Sequence, residues 1–188
     1  MTDFDYWKKQ YQATWAASSS RESGIAASLE QATGLKVVPV GLGATSSEFL
    51  SGPAAARGLE KGDADLAVVG TNVRLEVTGP LVASVDRNQP LWVRPDKVQN
   101  ARRNATHEVW IVHHLPKDDL LRVIALDARF WNALDAGEFP IVTPRIRGAQ
   151  ERYHSISAVH GCIMPFTALI ERLKQLRPAS GQQRADNV

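Results

Sequence analysis

The spacing of apolar positions divides the chain into short strands and amphipathic helices. Phe4, Trp7, Tyr11 and Trp15 recur at helical spacing, with Lys8, Lys9 and Gln12 between them, and predict a helix over residues 4–17 with an aromatic stripe. Ser18-Ser19-Ser20 interrupts that pattern, and Ser19 followed by Glu22 is a capping-box spacing that predicts a new helix. Ile25, Leu29 and Ala32 form its apolar face, and Gly34 stands at the C′ position. The almost wholly apolar run 35–40 predicts a strand in a central position. Residues 41–48 form a small-residue loop that lacks the Gly-Lys-Ser/Thr ending of a phosphate-binding loop, and a short helix is predicted over 54–59.

Two strands follow, 66–69 and 73–77, separated by Gly70-Thr71-Asn72. A two-residue type II′ turn at Gly70-Thr71 sets Val69 opposite Asn72, Ala67 opposite Arg74 and Asp65 opposite Glu76. Alternation then places Asp65, Glu76 and Thr78 on one face, with the two acidic Cβ atoms roughly 4.5–5.5 Å apart. Opposed carboxylates repel, and a divalent cation between them removes the repulsion; oxygen-only ligation suits Mg²⁺ or Mn²⁺. The competing reading makes Asp65 a turn residue and Glu76 a solvated one, because a slip of one residue separates the pair.

Beyond Thr78, Gly79 and Pro80 stop the strand, and residues 81–95 read as an irregular excursion. Asp96 is placed to N-cap a helix over 97–103, around which Arg94, Lys97, Arg102 and Arg103 gather positive charge. That group is either a solvated helix surface or a phosphate-facing one. Strands are predicted at 108–113 and 121–126, with Val109, Ile111 and His113 on one face of the first and Trp110 and Val112 on the other. His113 and His114 point to opposite faces, which suits structural histidines rather than a joint metal site. A helix over 129–137, an extended passage over 139–147 and a strand over 152–156 come next. A last helix opens at Met164-Pro165-Phe166, with Pro165 at N1, and runs to about Leu176. Residues 178–188 are polar and without periodicity, an expectation of disorder.

Composition adds bounds rather than chemistry. In 188 residues, 44% hydrophobic and 22% charged content describe an ordinary globular chain, and residues 1–177 read as one domain. A net charge of +2 argues for nucleic-acid contact through local patches only. The single cysteine, Cys162, precludes an internal disulfide and fits a reducing cytoplasm. The acidic N-terminus is unlike a signal peptide, and no apolar run is long enough to span a membrane.

Asp65, ten intervening residues and then Glu76-Val77-Thr78 at the end of the second strand resemble the metal-binding hairpin of the PD-(D/E)XK nuclease superfamily. The order helix, strand, hairpin, helix, two strands around the motif is similar to that family's core. The resemblance implies an α/β (α+β) fold with a central mixed β-sheet flanked by helices, a restriction-endonuclease-like core. It further implies Mg²⁺ or Mn²⁺ held by Asp65, Glu76 and the Val77 carbonyl, and hydrolysis of phosphodiesters in DNA rather than RNA. Two positions depart from the family: Ala64 stands where proline is common, and Thr78 where the catalytic lysine belongs. In some relatives that lysine has moved to the following helix, which makes Lys97 the candidate here, with Arg94 and Arg102 as backbone-phosphate contacts. The alternative is an inactive module on the same fold that binds nucleic acid or protein. The N-terminal aromatic helix is then a candidate surface for a second subunit or a partner.

Overall fold

The computed structural model describes residues 3–40, 63–80, 82, 84–146 and 148–177, with side chains from residue 16 onward. The predicted loop at 41–48, helix at 54–59 and tail at 178–188 lie outside the described residues, as do the side chains of the aromatic stripe.

The chain opens with one uninterrupted helix, α1 (Asp3–Thr33), in place of the two expected. The serine run is helical throughout and Glu22 is buried in the helix interior, so the capping-box spacing marks no boundary. Serine costs only a few tenths of a kcal/mol in a helix, too little to break one that docks through Ile25 and Leu29. Gly34 does end it, at φ +70°, with its N–H on the Glu30 carbonyl.

Among the described residues, six strands make the main sheet. These are β1 (Val37–Pro39), β2 (Leu66–Val68), β3 (Val73–Thr78), β5 (Glu108–Leu115), β6 (Leu120–Ala125) and β11 (Met164–Pro165), paired in that order. All neighbours are antiparallel except β3 and β5, which run parallel. Among the described residues β1 therefore lies at the sheet edge, not at its centre. Its apolar run is accounted for by packing of Val37 into the core below α1, and Pro39 suits an edge because it needs no ladder donor.

The excursion expected over 81–95 contains a strand, β4 (Leu91–Val93), which alternation over three residues was too short to reveal. It joins β10 (Tyr153–Ile156) and β7 (Ile141–Val142) in a second antiparallel sheet. A two-stranded pair, β8 (Arg145–Ile146) with β9 (Ala149–Gln150), completes the strands. The remaining helices are α2 (Pro95–Arg103), α3 (Ala128–Asp135) and α4 (Phe166–Leu176). Pro165 is the cap residue of α4 rather than its first helical residue.

The architecture is α+β, a central mixed sheet flanked among the described residues by four helices. One apolar cluster joins Ile25 and Leu29 of α1 and Leu169 and Leu173 of α4 to Leu75, Trp110, Val112 and Val123 on one face of the sheet. The second joins Val98 and Ala101 of α2, Phe130 of α3, and Leu91, Val93 and Ile156 of the small sheet to Ile111 and Ile124 on the other. None of these helices is long and apolar enough to cross a membrane, among the described residues.

The end of β3 is clamped. Arg21 of α1 donates to the carbonyls of Gly79 at 3.2 Å and Pro80 at 3.0 Å. A Cβ on Gly79 would fall 2.3 Å from the His114 carbonyl oxygen, so the strand end and β5 approach as only glycine allows. Gly79→Ala is expected to lower stability by about 1–3 kcal/mol, the usual cost of overpacking. Urea unfolding of the variant, with an unchanged midpoint as the contrary result, checks this.

Candidate functional site

The β2–β3 hairpin sets the site's spacing. Its loop is the four residues 69–72, not the two-residue type II′ turn expected. Val68 O accepts the Thr71 N–H at 3.2 Å and the Thr71 hydroxyl at 2.9 Å. Gly70, at φ +80°, takes the third position of that turn, where type II turns want glycine. The register is nevertheless the expected one: Ala67 pairs with Arg74 and Leu66 with Leu75, which continues to Asp65 opposite Glu76. Exchanging one turn for another of the same parity keeps every side chain on its face.

Leu75 and Val77 point into the α1–α4 cluster, so Arg74, Glu76 and Thr78 face the α2 side. On that side Glu76 neighbours Ile111, and Thr78 neighbours His113, through the parallel pairing with β5. Asp65 is buried, and its Oδ2 accepts the Val77 N–H at 2.8 Å, extending the pairing beyond the last backbone bond from Asp65 N–H to Leu75 O.

Lys97 comes to this pair from α2. Arg94, not Asp96, is the N-cap residue, and Pro95 opens the helix. The Asp96 carboxylate instead grips the Arg94 guanidinium, at 3.1 and 2.7 Å. One turn into α2, the Lys97 ammonium lies 2.7 Å from Glu76 Oε2 and 3.8 Å from Asp65 Oδ1. It also donates to the Asp63 carbonyl at 2.8 Å. With a side chain only 17% exposed, this lysine is not a solvated first-turn residue. Asn100, one turn on, donates to Asp63 Oδ1 at 3.0 Å and fixes the chain entering β2.

Burial and charge pull against each other here. Burial raises the Glu76 carboxyl well above the ordinary value, the Asp65 charge raises it further, and Lys97 and Arg94 only partly offset this. Asp65 is raised too, by burial first, against the charge of Lys97 and the Val77 N–H. Burial works against the Lys97 ammonium, but Glu76 and Asp65 together outweigh it and raise its pKa. The native pair thus retains protons that free carboxyls would lose.

Of the other expected site residues, Arg94 acts on Glu76 and Lys97 through its charge. Arg102 is drawn away: it meets both Asp135 oxygens at 2.8 Å and lies 4.9 Å from the Trp131 ring centroid. The cations around α2 therefore divide between its two sides. Asp63 and Asn100 escaped sequence reasoning. The acid-x-acid spacing of Asp63 and Asp65 was the available signal for the first, whereas Asn100 resembled any polar helix residue. Further along the same sheet face, His113 is buried and held neutral. Burial, then the Arg122 charge, lowers its pKa to about 3, and its Nδ1 accepts the Arg122 Nε–H at 3.2 Å. Arg122 in turn donates to the Arg87 and Gln89 carbonyls and anchors the segment leading to β4.

The donor set suits a hard cation in one respect and limits it in another. Glu76 Oε2 is buried, and the Lys97 ammonium meets it at 2.7 Å as an ion pair. An oxygen so placed, beside the Asp65 carboxylate, fits Mg²⁺ or Mn²⁺. Among the described residues, however, no three acidic, histidine or cysteine side chains group as ligands, so further oxygens must come from backbone, water or substrate.

No protein-family model matches the chain, and no curated protein sequence matches it. Among solved structures, a nuclease from a fusselovirus is similar, with a TM-score of 0.41 at 15% identity over 59% of this chain. The chain spans 65% of the length of that nuclease. A likeness of that score decides neither fold nor activity.

The raised Glu76 pKa has a pH consequence. Above the ordinary value of 4.5 the unfolded carboxyl has released its proton while the native one keeps it, so stability falls as pH rises across that window. His113 contributes the opposite slope between about 3 and 6.5, because it is neutral when folded and charged when unfolded. The comparison of wild type with Glu76→Gln isolates the first effect. In EDTA, the stability of the variant relative to wild type should rise from pH 4.5 toward neutrality, by about 1.4 kcal/mol for each unit of raised pKa. Thermal unfolding across that range checks it, and a pH-independent difference is the contrary result.

Proposed function

We propose that the chain is a divalent-metal-dependent nuclease acting on DNA. The observation that carries this reading is the convergence of Asp65, Glu76 and Lys97, from a hairpin and a separate helix, on one buried space. Structural ion pairs do not require two opposed carboxylates whose pKa values both rise.

Asp65 and Glu76 would hold Mg²⁺ or Mn²⁺, with the Val77 carbonyl as a further oxygen. When bound, that cation supplies Lewis-acid polarisation of the scissile phosphodiester. Lys97 has the task that Thr78 cannot perform. A threonine hydroxyl donates a hydrogen bond, whereas charge developing on a phosphoryl oxygen calls for a preorganised cation. The ammonium is held over the acidic pair by the Asp63 carbonyl and by a helix that Asn100 ties to the same segment. Arg94, although held by Asp96, adds positive charge beside Glu76 and Lys97 for a backbone phosphate, a contribution that should weaken with salt. Arg102, occupied by Asp135, has at most a peripheral share in binding.

Two measurements test this reading. Millimolar Mn²⁺ should raise the melting temperature of wild type and leave Asp65→Asn unmoved, since a ligand bound only by the native state stabilises by mass action. Equal shifts in both proteins would remove the metal site. Lys97→Met should bind DNA near normally and lose cleavage by about 10²–10³-fold, the usual cost of deleting one charge-stabilising donor, with Lys97→Arg recovering part of it. Cleavage of plasmid and single-stranded DNA at the wild-type rate by the methionine variant would remove Lys97 from the chemistry.

A further inference from the structure

On β4, Leu91 and Val93 enter the α2–α3 core, so alternation turns Trp92 outward, where it is 40% exposed. Of the tryptophans whose side chains are described, Trp110 is buried and Trp131 half-buried, so Trp92 stands apart. It does not stand alone. Ser155 of β10 pairs with it, and two residues earlier on that strand Tyr153 stacks on the indole, with ring centroids 5.7 Å apart and planes inclined by 28°. The Tyr153 hydroxyl donates to the Glu151 carboxylate, which fixes that ring.

The stacked pair is linked along the chain to the acidic centre. Arg94 lies two extended residues beyond Trp92 and so on the same side of the chain, and its charge acts on Glu76. Lys97 follows within the first turn of α2, which bounds the Cα distance from Trp92 to Lys97 at about 18 Å. In the continued β4–β10 register Tyr153 stands opposite Arg94, so one arginine, its guanidinium held by Asp96, borders the rings. A prestacked aromatic face with an arginine beside it is complementary to a base and its adjoining phosphate.

We infer that Trp92 and Tyr153 form a stacking platform for an unpaired nucleobase, and that the strand is led from it past Arg94 to the acidic centre. The occupant is single-stranded nucleic acid, because a duplex offers no open base face within its length. The inference rests on the nuclease reading and gives it a substrate class.

The test uses the full chain in EDTA, which separates binding from cleavage, with a labelled single-stranded DNA oligonucleotide, its RNA counterpart and a duplex of equal length. Trp92→Ala should weaken single-strand binding by roughly 5- to 150-fold, the range for loss of one base stack, and leave duplex binding unchanged. Trp92→Phe should retain most of the affinity, and Trp92→Leu, which keeps apolar volume without a π-face, should behave as the alanine variant. Tryptophan fluorescence quenched by the oligonucleotide in wild type should be diminished in Trp92→Phe. Similar losses in the DNA and RNA arms would assign the platform to the base itself; a loss confined to one would assign it to that strand. Single-strand binding unaltered in Trp92→Ala, or equal loss for duplex and single strand, overturns the platform while the Mn²⁺ shift still reports on the acidic centre. Altered self-association with unaltered DNA binding makes the face a protein interface and also overturns it. Failure of wild type to bind any nucleic acid removes this inference and the nuclease reading together.

Discussion

Confinement of two carboxylates and one ammonium in a space with little water is the constraint around which the structure is arranged. Water would screen the repulsion between Asp65 and Glu76; the β2–β3 register removes them from it and holds them face to face. Lys97 partly compensates, and removing one member of such a group typically costs about 3–5 kcal/mol through the charge left behind. Replacing such a group by well-packed apolar residues is often neutral or stabilising. The group is therefore better explained by chemistry than by folding.

Keeping the charges confined requires rigid surroundings on both sides of the sheet. Leu75 and Val77, the residues on either side of Glu76 along β3, point into the cluster beneath α1 and α4, so the carboxylate cannot relax by turning its strand. On the other side, α2 is seated through Val98 and Ala101 and is tied to Asp63 through Lys97 and Asn100. The buried guanidinium of Arg122 holds the carbonyls before β4, and Arg21 holds those after β3. Both ends of the segment between hairpin and α2 are thereby anchored by arginine donors to backbone oxygens. This long connection carries Trp92 and Arg94 past the acidic centre.

Much of this was legible in the sequence wherever a short-range rule had no competitor. Strict alternation in β3 and β5 gave the correct faces, glycine at position 34 gave a helix end, and the parity of the hairpin gave the Asp65–Glu76 opposition even though the turn type differed. Local rules failed where tertiary contacts outweigh them. A capping-box spacing marked no boundary in α1, because docking through Ile25 and Leu29 exceeds the weak propensity of three serines. The apolar run at β1 signalled burial by a helix, which periodicity does not distinguish from burial between strands. β4 escaped because three residues hold too few alternations to register.

The sequence by itself offered the acidic pair, with a one-residue slip as the alternative, and nominated Lys97 by type and position; the folded β2–β3 register decided the pair. Only the tertiary structure decided which cations reach that pair. Lys97 and Arg102 lie five residues apart on one helix, about 140° apart around its axis. The seating of α2 turns the first toward Glu76 and leaves the second to Asp135. Helical position fixes the angle between two side chains. The packing of Val98 and Ala101 against the sheet fixes where that angle points, and it arises from residues distant in sequence.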